Sequence, residues 1–136
     1  MQRLQTRPQF QAVLAGTTIA RTTHFALHRN ALDVSATQVQ STQAVPAPAL
    51  FPVHDMWIGA MVPKRWAKRA VTRNTIKRQI YTVGADFSEH YPQAAFLVRL
   101  RRDYSRKEFI SATSEQLKQA VWLELQALMQ AGAKAQ

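Results

Sequence analysis

The chain has 136 residues, the size of one ordinary domain, and 46% of them are hydrophobic, enough for a core without staples. It has no cysteine, which excludes disulfides, thiolate catalysis, iron–sulfur clusters and Cys-ligated zinc. Eighteen Lys and Arg against eight Asp and Glu give a formal charge of +10, a field that repels itself in a compact state and attracts polyanions.

Met1 to Pro8 lack the apolar run of a secretory signal, and nothing in the chain approaches the ~20 apolar residues of a membrane span. A cytoplasmic protein away from the membrane is the expectation. Gln9–Ala15 reads as a short helix, with Thr6 as N-cap, Pro8 in the first turn and Gly16 as the stop. Phe10, Val13 and Leu14 share one face of it at i, i+3, i+4 spacing. His24–His28 alternates as a strand, with Phe25 and Leu27 on one side and His24, Ala26 and His28 on the other. Residues 31–52 are rich in Ser, Thr, Gln and Ala and contain Pro46, Pro48 and Pro52. Val34 and Val39 suit a strand extension, but the proline-rich part cannot pair centrally. Residues 33–54 therefore read as a long, mobile connection inside a single domain spanning 1–136.

Met56–Val62 is nearly all apolar and reads as a buried strand ended by Pro63. Ala70 to Phe87 reads as a helix whose core stripe is Ile76, Ile80, Val83 and Phe87. Ala94–Leu100 is a second buried strand, and strand–helix–strand predicts a βαβ unit with parallel strands. A last helix opens at Ser105-Arg106-Lys107-Glu108, which has capping-box spacing. It continues through Ile110, Leu117, Val121, Leu125 and Leu128, and Gly132 marks its frayed end.

The charge sits in one block. Residues 59–107 hold twelve Lys or Arg and three acids, and no acid occurs from Met56 through Ala85. Surface cations are ordinarily interspersed with acids, which limits self-repulsion. On the central helix Arg73 and Lys77 stack at i, i+4, with Asn74 and Arg78 on the next row. Lys64, Arg65, Lys68 and Arg69 extend this array at the helix N-terminus, where the helix dipole also favours phosphate. Arg suits bidentate phosphate contacts, and Asn can read a base edge or a ribose. A merely solvated helix or a membrane-surface helix is the competing reading, but no acid offsets the run and the apolar stripe is needed under the strands. Trp66, inside the run, suits either stacking on a base or packing at the helix entrance.

Catalytic chemistry has little to rest on. There is no close pair of acids, no metal-ligand spacing on a helix and no glycine-rich phosphate loop among four glycines. His24 and His28 lie ~13 Å apart on a strand, too far to share one metal or one proton. No catalytic or metal-ligating residue is assigned, and a binding protein is the expectation.

The run Val62-Pro63-Lys64-Arg65-Trp66-Ala67-Lys68-Arg69 followed by Arg73-Asn74-Thr75-Ile76-Lys77-Arg78 resembles the signature of the bacterial ribonuclease P protein subunit. That signature is a strand, a basic pair and an Arg-Asn-Arg-x-x-Lys-Arg helix. Phe10 resembles the family's N-terminal helix aromatic, Phe25–His28 its first strand and Ala94–Leu100 the strand after the helix. Thr75 replaces the second Arg of the motif, Leu14 a common second Phe, His28 a Tyr found in some members, and Tyr81 a further basic residue.

The resemblance implies an α+β fold, an α/β sandwich of order α-β-β-β-α-β-α. Its mixed sheet would contain a left-handed βαβ crossover, against the usual hand. It implies a partner, the catalytic RNA subunit, and a substrate, precursor transfer RNA, whose 5′ leader is removed with Mg²⁺ used by the RNA rather than by a protein site. By position, Lys64, Arg65, Lys68, Arg69, Arg73, Asn74, Lys77 and Arg78 would contact RNA. Phe10, Leu14 and His28 would line a cleft for the single-stranded leader. No membrane and no obligate protein partner is implied. Two other readings stand beside this one: a structural, ribosomal-type RNA-binding protein without a cleavage role, and an autonomous nuclease using His24 or His28.

Overall fold

A computed structural model describes residues 1–32, 51, 53, 55–104 and 115–135. A short strand β1 (Gln2–Arg3) precedes helix α1 (Arg7–Leu14). Strands β2 (Thr17–Arg21), β3 (Phe25–Asn30) and β4 (Trp57–Met61) follow, then helix α2 (Ala70–Phe87) and a 3-10 turn at Ser88–His90. Strand β5 (Ala95–Leu100) and helix α3 (Glu115–Lys134) complete the order. The five strands form one mixed sheet in the order β1-β4-β5-β3-β2. β4 and β5 are parallel neighbours joined through α2, as the strand–helix–strand succession requires.

α1 begins where Thr6 caps it. Gln9 N–H donates to Thr6 Oγ1 at 3.4 Å, and Gln9 Oε1 accepts from Thr6 N–H at 3.1 Å, a reciprocal capping box with Pro8 in the first turn. The helix stops at Ala15, just before Gly16. Its three apolar residues do not share one buried face: Val13 is fully buried, Phe10 half-buried, and Leu14 is 40% exposed. Gln9 takes the buried place instead, because its carbonyl is occupied by the cap.

Side-chain alternation divides the sheet into two faces. Phe25, Leu27, Ile58, Ala60, Phe96, Val98 and Leu100 meet Ile76, Ile80 and Val83 of α2 and Leu117, Val121, Leu125 and Leu128 of α3 in the main core. Trp57, Ala95 and Leu97 face the other way, onto Leu4, Val13 and Phe51, with Phe10 and Met61 at the margin.

The structure adds two strands that the sequence does not signal, reassigns Gly132, and leaves part of the sequence reading outside the described residues. β1 is a strand that no periodicity signals, being two residues long. β2 lies where no strand is read, since an edge strand half exposed on both faces carries little alternation. Gly132 is buried inside α3, where an added Cβ would lie 2.5 Å from Leu27 Cδ2 and against the Tyr91 hydroxyl; glycine there admits close packing rather than ending the helix. Ser105–Ile110, most of 33–54 and Val34/Val39 lie outside the described residues, although Phe51 is seated in the second core, edge-on to Trp57 at 5.4 Å.

No helix is long and apolar enough to cross a membrane among the described residues.

Candidate nucleic-acid interface

The basic array is built by one helix and the turn that enters it. Pro63 O accepts from the N–H groups of Trp66 and Ala67 at 3.0 and 3.1 Å, folding Lys64–Arg69 back on itself. Ala67 is buried and Trp66 packs half-buried against the main core, so Lys64, Arg65, Lys68 and Arg69 are left outside. Trp66 is thus a packing residue, with the Arg65 guanidinium 5.2 Å from its ring centre. Its indole Nε1 is buried without a hydrogen-bond partner among the described residues.

α2 is fixed by its apolar stripe and by Gln79, whose amide donates to Lys118 O of α3 at 3.1 Å. The row Arg73, Lys77 and Tyr81 runs along the flank away from α3, with Asn74 and Arg78 exposed beside it. Arg73 is half-buried, and its Nη1 donates to Ala67 O and Lys68 O, both at 2.9 Å. Arg73 therefore holds the basic turn in shape as well as carrying charge. Among the described residues none of the eight array residues enters a salt bridge. α2 also has no side-chain N-cap and no acid in its first turn, so the positive end of its dipole adds to the same field.

The second cluster of candidates lies on the opposite sheet face. Phe10 rests against Gly59 of β4: a Cβ added at Gly59 would lie 2.8 Å from Phe10 Cε1 and 2.5 Å from Leu4 Cδ1. Glycine is what lets the ring approach the sheet. The register aligns Gly59 with Leu97, Leu97 with His28, and His28 with Thr18, so Phe10 and His28 share this face two strands apart. Asn30 anchors α1 over it by donating to Ala12 O at 2.8 Å. Leu14, exposed at the end of α1, does not join Phe10 in its contact with the second core.

His28 is buried, with both ring nitrogens engaged. Arg99 Nε donates to Nε2 at 3.2 Å, and since a guanidinium only donates, Nε2 must accept. The ring proton then sits on Nδ1 and is donated to Thr18 Oγ1 at 3.0 Å. Burial, followed by the charges of Arg99 and Arg21, pushes the His28 pKa below its ordinary 6.5, so the ring is neutral at neutral pH. The next register row places Arg21 and Arg99 on either side of Ala26 on this face.

The match of a family model to residues 1–129, described as Ribonuclease P, settles the relationship. The chain belongs to the ribonuclease P protein family. Three solved structures of the Staphylococcus aureus ribonuclease P protein share the fold. One superposes with a TM-score of 0.64 at 15% identity, covering 96% of this chain and 94% of that one. A mutant described as having defective mRNA degradation activity gives 0.61 at 16%, covering 94% and 85%. A third gives 0.55 at 18%, covering 97% and 86%. A search of curated proteins gives no match. Family membership implies a subunit of ribonuclease P, an endoribonuclease of transfer RNA processing, with ribonuclease P RNA as partner.

In this member of the ribonuclease P protein family the local charge block is legible in sequence, but the cations brought up by strand pairing are not. Arg21 and Arg99 were missed. Arg99 carried one signal, as the lone charge in the apolar run Ala94–Leu100. His24, the other histidine singled out, belongs to a separate cluster: its Nδ1 lies 2.7 Å from Glu124 Oε1, and its ring stacks on Tyr104 at 3.8 Å.

Proposed function

We propose that this protein is the RNA-binding subunit that assists a catalytic RNA in removing the 5′ leader from precursor transfer RNA, acting in the cytoplasm. The chemistry belongs to the RNA, together with the Mg²⁺ it uses. Among the described residues no three His, Cys, Asp or Glu side chains cluster as a metal site would need. The observation that carries the reading is the array on α2 and its entry turn, rigid, cationic and in no salt bridge among the described residues. Phosphate contacts on a fixed scaffold are what structured RNA requires.

The α1 face of the sheet suits the single-stranded leader. Phe10 offers a half-buried ring for stacking, Leu14 an exposed apolar edge, and Arg99 a cation steadied by the neutral His28. A basic groove with stacking surfaces is the ordinary solution for a single strand. The autonomous nuclease is disfavoured at His28, because both of its ring nitrogens are committed inside the protein.

Cleavage of precursor transfer RNA at low Mg²⁺ tests the proposal, with protein alone, a bacterial ribonuclease P RNA alone, and both together. Cleavage above the RNA-alone rate only in the mixture is the expected result. Cleavage by the protein alone would overturn it. Tight, salt-sensitive RNA binding with no stimulation would favour the structural RNA-binding alternative.

A further inference from the structure

We infer that Arg3, delivered by β1 onto Tyr81 of α2, is a further phosphate-contacting cation of the face that binds the RNA subunit; this rests on the reading of α2 above. β1 pairs in parallel with β4, placing Arg3 opposite Ile58, and Leu4 N–H donates to Ile58 O at 2.9 Å. The Arg3 guanidinium then lies 4.2 Å from the centre of the Tyr81 ring. Tyr81 is itself held, because Ala60 N–H donates to its hydroxyl at 3.3 Å. The platform is therefore fixed by the sheet at both ends, through β1 under the cation and β4 under the ring.

Position makes this cation part of the array. Arg73, Lys77 and Tyr81 succeed one another at i, i+4, i+8, each about 6 Å further along one flank of α2. Tyr81 breaks the row of charges in sequence, and Arg3 restores it in space from the far end of the chain. Chemistry points the same way. A guanidinium lying over an aromatic face keeps its in-plane N–H groups available for a bidentate contact with a phosphate. Arg3 is exposed, and no carboxylate engages it among the described residues. Asp55, the acid beside β1, is committed to the chain's amino group at 3.0 Å, to the Gln2 amide and to Met56 N–H.

The test is equilibrium binding of the full chain to a transcribed bacterial ribonuclease P RNA across a salt series. Arg3→Gln is expected to weaken binding about tenfold, the scale of one charge-assisted hydrogen bond. Its log K against log salt plot should be shallower by about 0.9, one duplex phosphate. Lys134→Gln removes the same charge from the end of α3 and should change affinity by less than about twofold. Tyr81→Phe keeps the ring and should bind as the parent does. Tyr81→Leu should lose about what Arg3→Gln loses, and the double variant should bind no worse than either single one. Arg3→Gln behaving like Lys134→Gln would overturn the inference while leaving the α2 reading intact. Losses from Arg3→Gln and Tyr81→Leu that simply add would also overturn it, since they would deny the platform. A parent protein without salt-sensitive binding would remove the α2 reading and Arg3 with it. Since Arg3 is exposed, Arg3→Gln decides the matter even if Tyr81→Leu compromises folding.

Discussion

Two polar regions of this protein are built on opposite plans. Around Glu124 of α3 every group faces another. Its Oε2 accepts from Thr22 Oγ1 and from His24 N–H, both at 2.6 Å, while Oε1 meets His24 Nδ1 at 2.7 Å and accepts from Tyr104 Oη at 3.0 Å. Along α2 and its entry turn the cations pair with no acid among the described residues. Satisfied polar groups in a half-buried cluster hold a structure together, because removing one leaves the others desolvated and unpaired. Unsatisfied like charges on a surface do the reverse, costing the free protein repulsion that a polyanion relieves. Polar density alone thus separates nothing; what separates a brace from a binding face is whether each charge has a partner within the chain.

The contrast is broken most sharply at Glu124. Glu124→Ala is expected to destabilise the fold by about 3 kcal/mol, read by urea unfolding, because the His24 amide and ring and the Tyr104 hydroxyl lose their acceptor together. RNA affinity of the folded protein should stay within about twofold. If stability held and affinity fell, the roles of the two regions would be reversed. The mirror case is Lys77→Ala combined with Arg78→Ala. Together they should weaken binding to the RNA subunit by roughly a hundredfold and flatten its salt slope by about 1.8, with stability changed by under about 0.5 kcal/mol. An unchanged salt slope would argue that α2 makes no phosphate contacts. Next in size is Phe10→Ala, expected to cost about 1–2 kcal/mol in binding precursor with a leader and nothing with mature transfer RNA. Equal losses for both RNAs would sink the leader-cleft assignment.

The smallest effects are in the pH dependence of stability. Burial raises the Glu124 pKa, but hydrogen bonds from Thr22 and His24 and the charge of His24 outweigh it and leave it below 4.5. A depressed carboxyl contributes stability that is present above its unfolded value and lost as pH falls through the folded one. Glu124→Gln should therefore flatten the acid limb below about pH 4.5. His28, also depressed, must be protonated on unfolding once pH drops below 6.5, so it too favours the fold at neutral pH and loses that contribution on acidification. His28→Asn should flatten the stability profile from pH 6.5 downward, measured by urea midpoints at each pH. A profile as steep as the parent's would mean that the imidazole is not held neutral.

What sequence made legible follows from range. α2 spans Ala70–Phe87, as its stripe of Ile76, Ile80 and Val83 dictates, because helical periodicity is local. β4 and β5 are apolar runs of central strands and were equally visible. β1 and β2 are edge strands whose existence depends on what they pair with, and the alternation that betrays a strand is weak or too short there. The same rule governs the site. The cations at 64–78 are contiguous and were found, whereas Arg3, Arg21 and Arg99 reach their places through pairing that no window of sequence contains. The partnership of His24 with Glu124 spans 100 residues and leaves no trace in either neighbourhood.

The docking of β1 carries a consequence for how the protein comes into being. Gln2 is tied to Asp55, 53 residues further on, so this edge of the sheet cannot close while the intervening chain is still being made. Contacts of such separation carry the loop-closure entropy of everything between them and form late in folding. Synthesis delivers β1 before β4, so β1 must wait for its partner strand before it has anywhere to go. The residues of β1, made before β4, are thus settled only after it. With them Arg3 arrives, and the surface of α2 reaches its full charge only once the rest of the sheet is assembled.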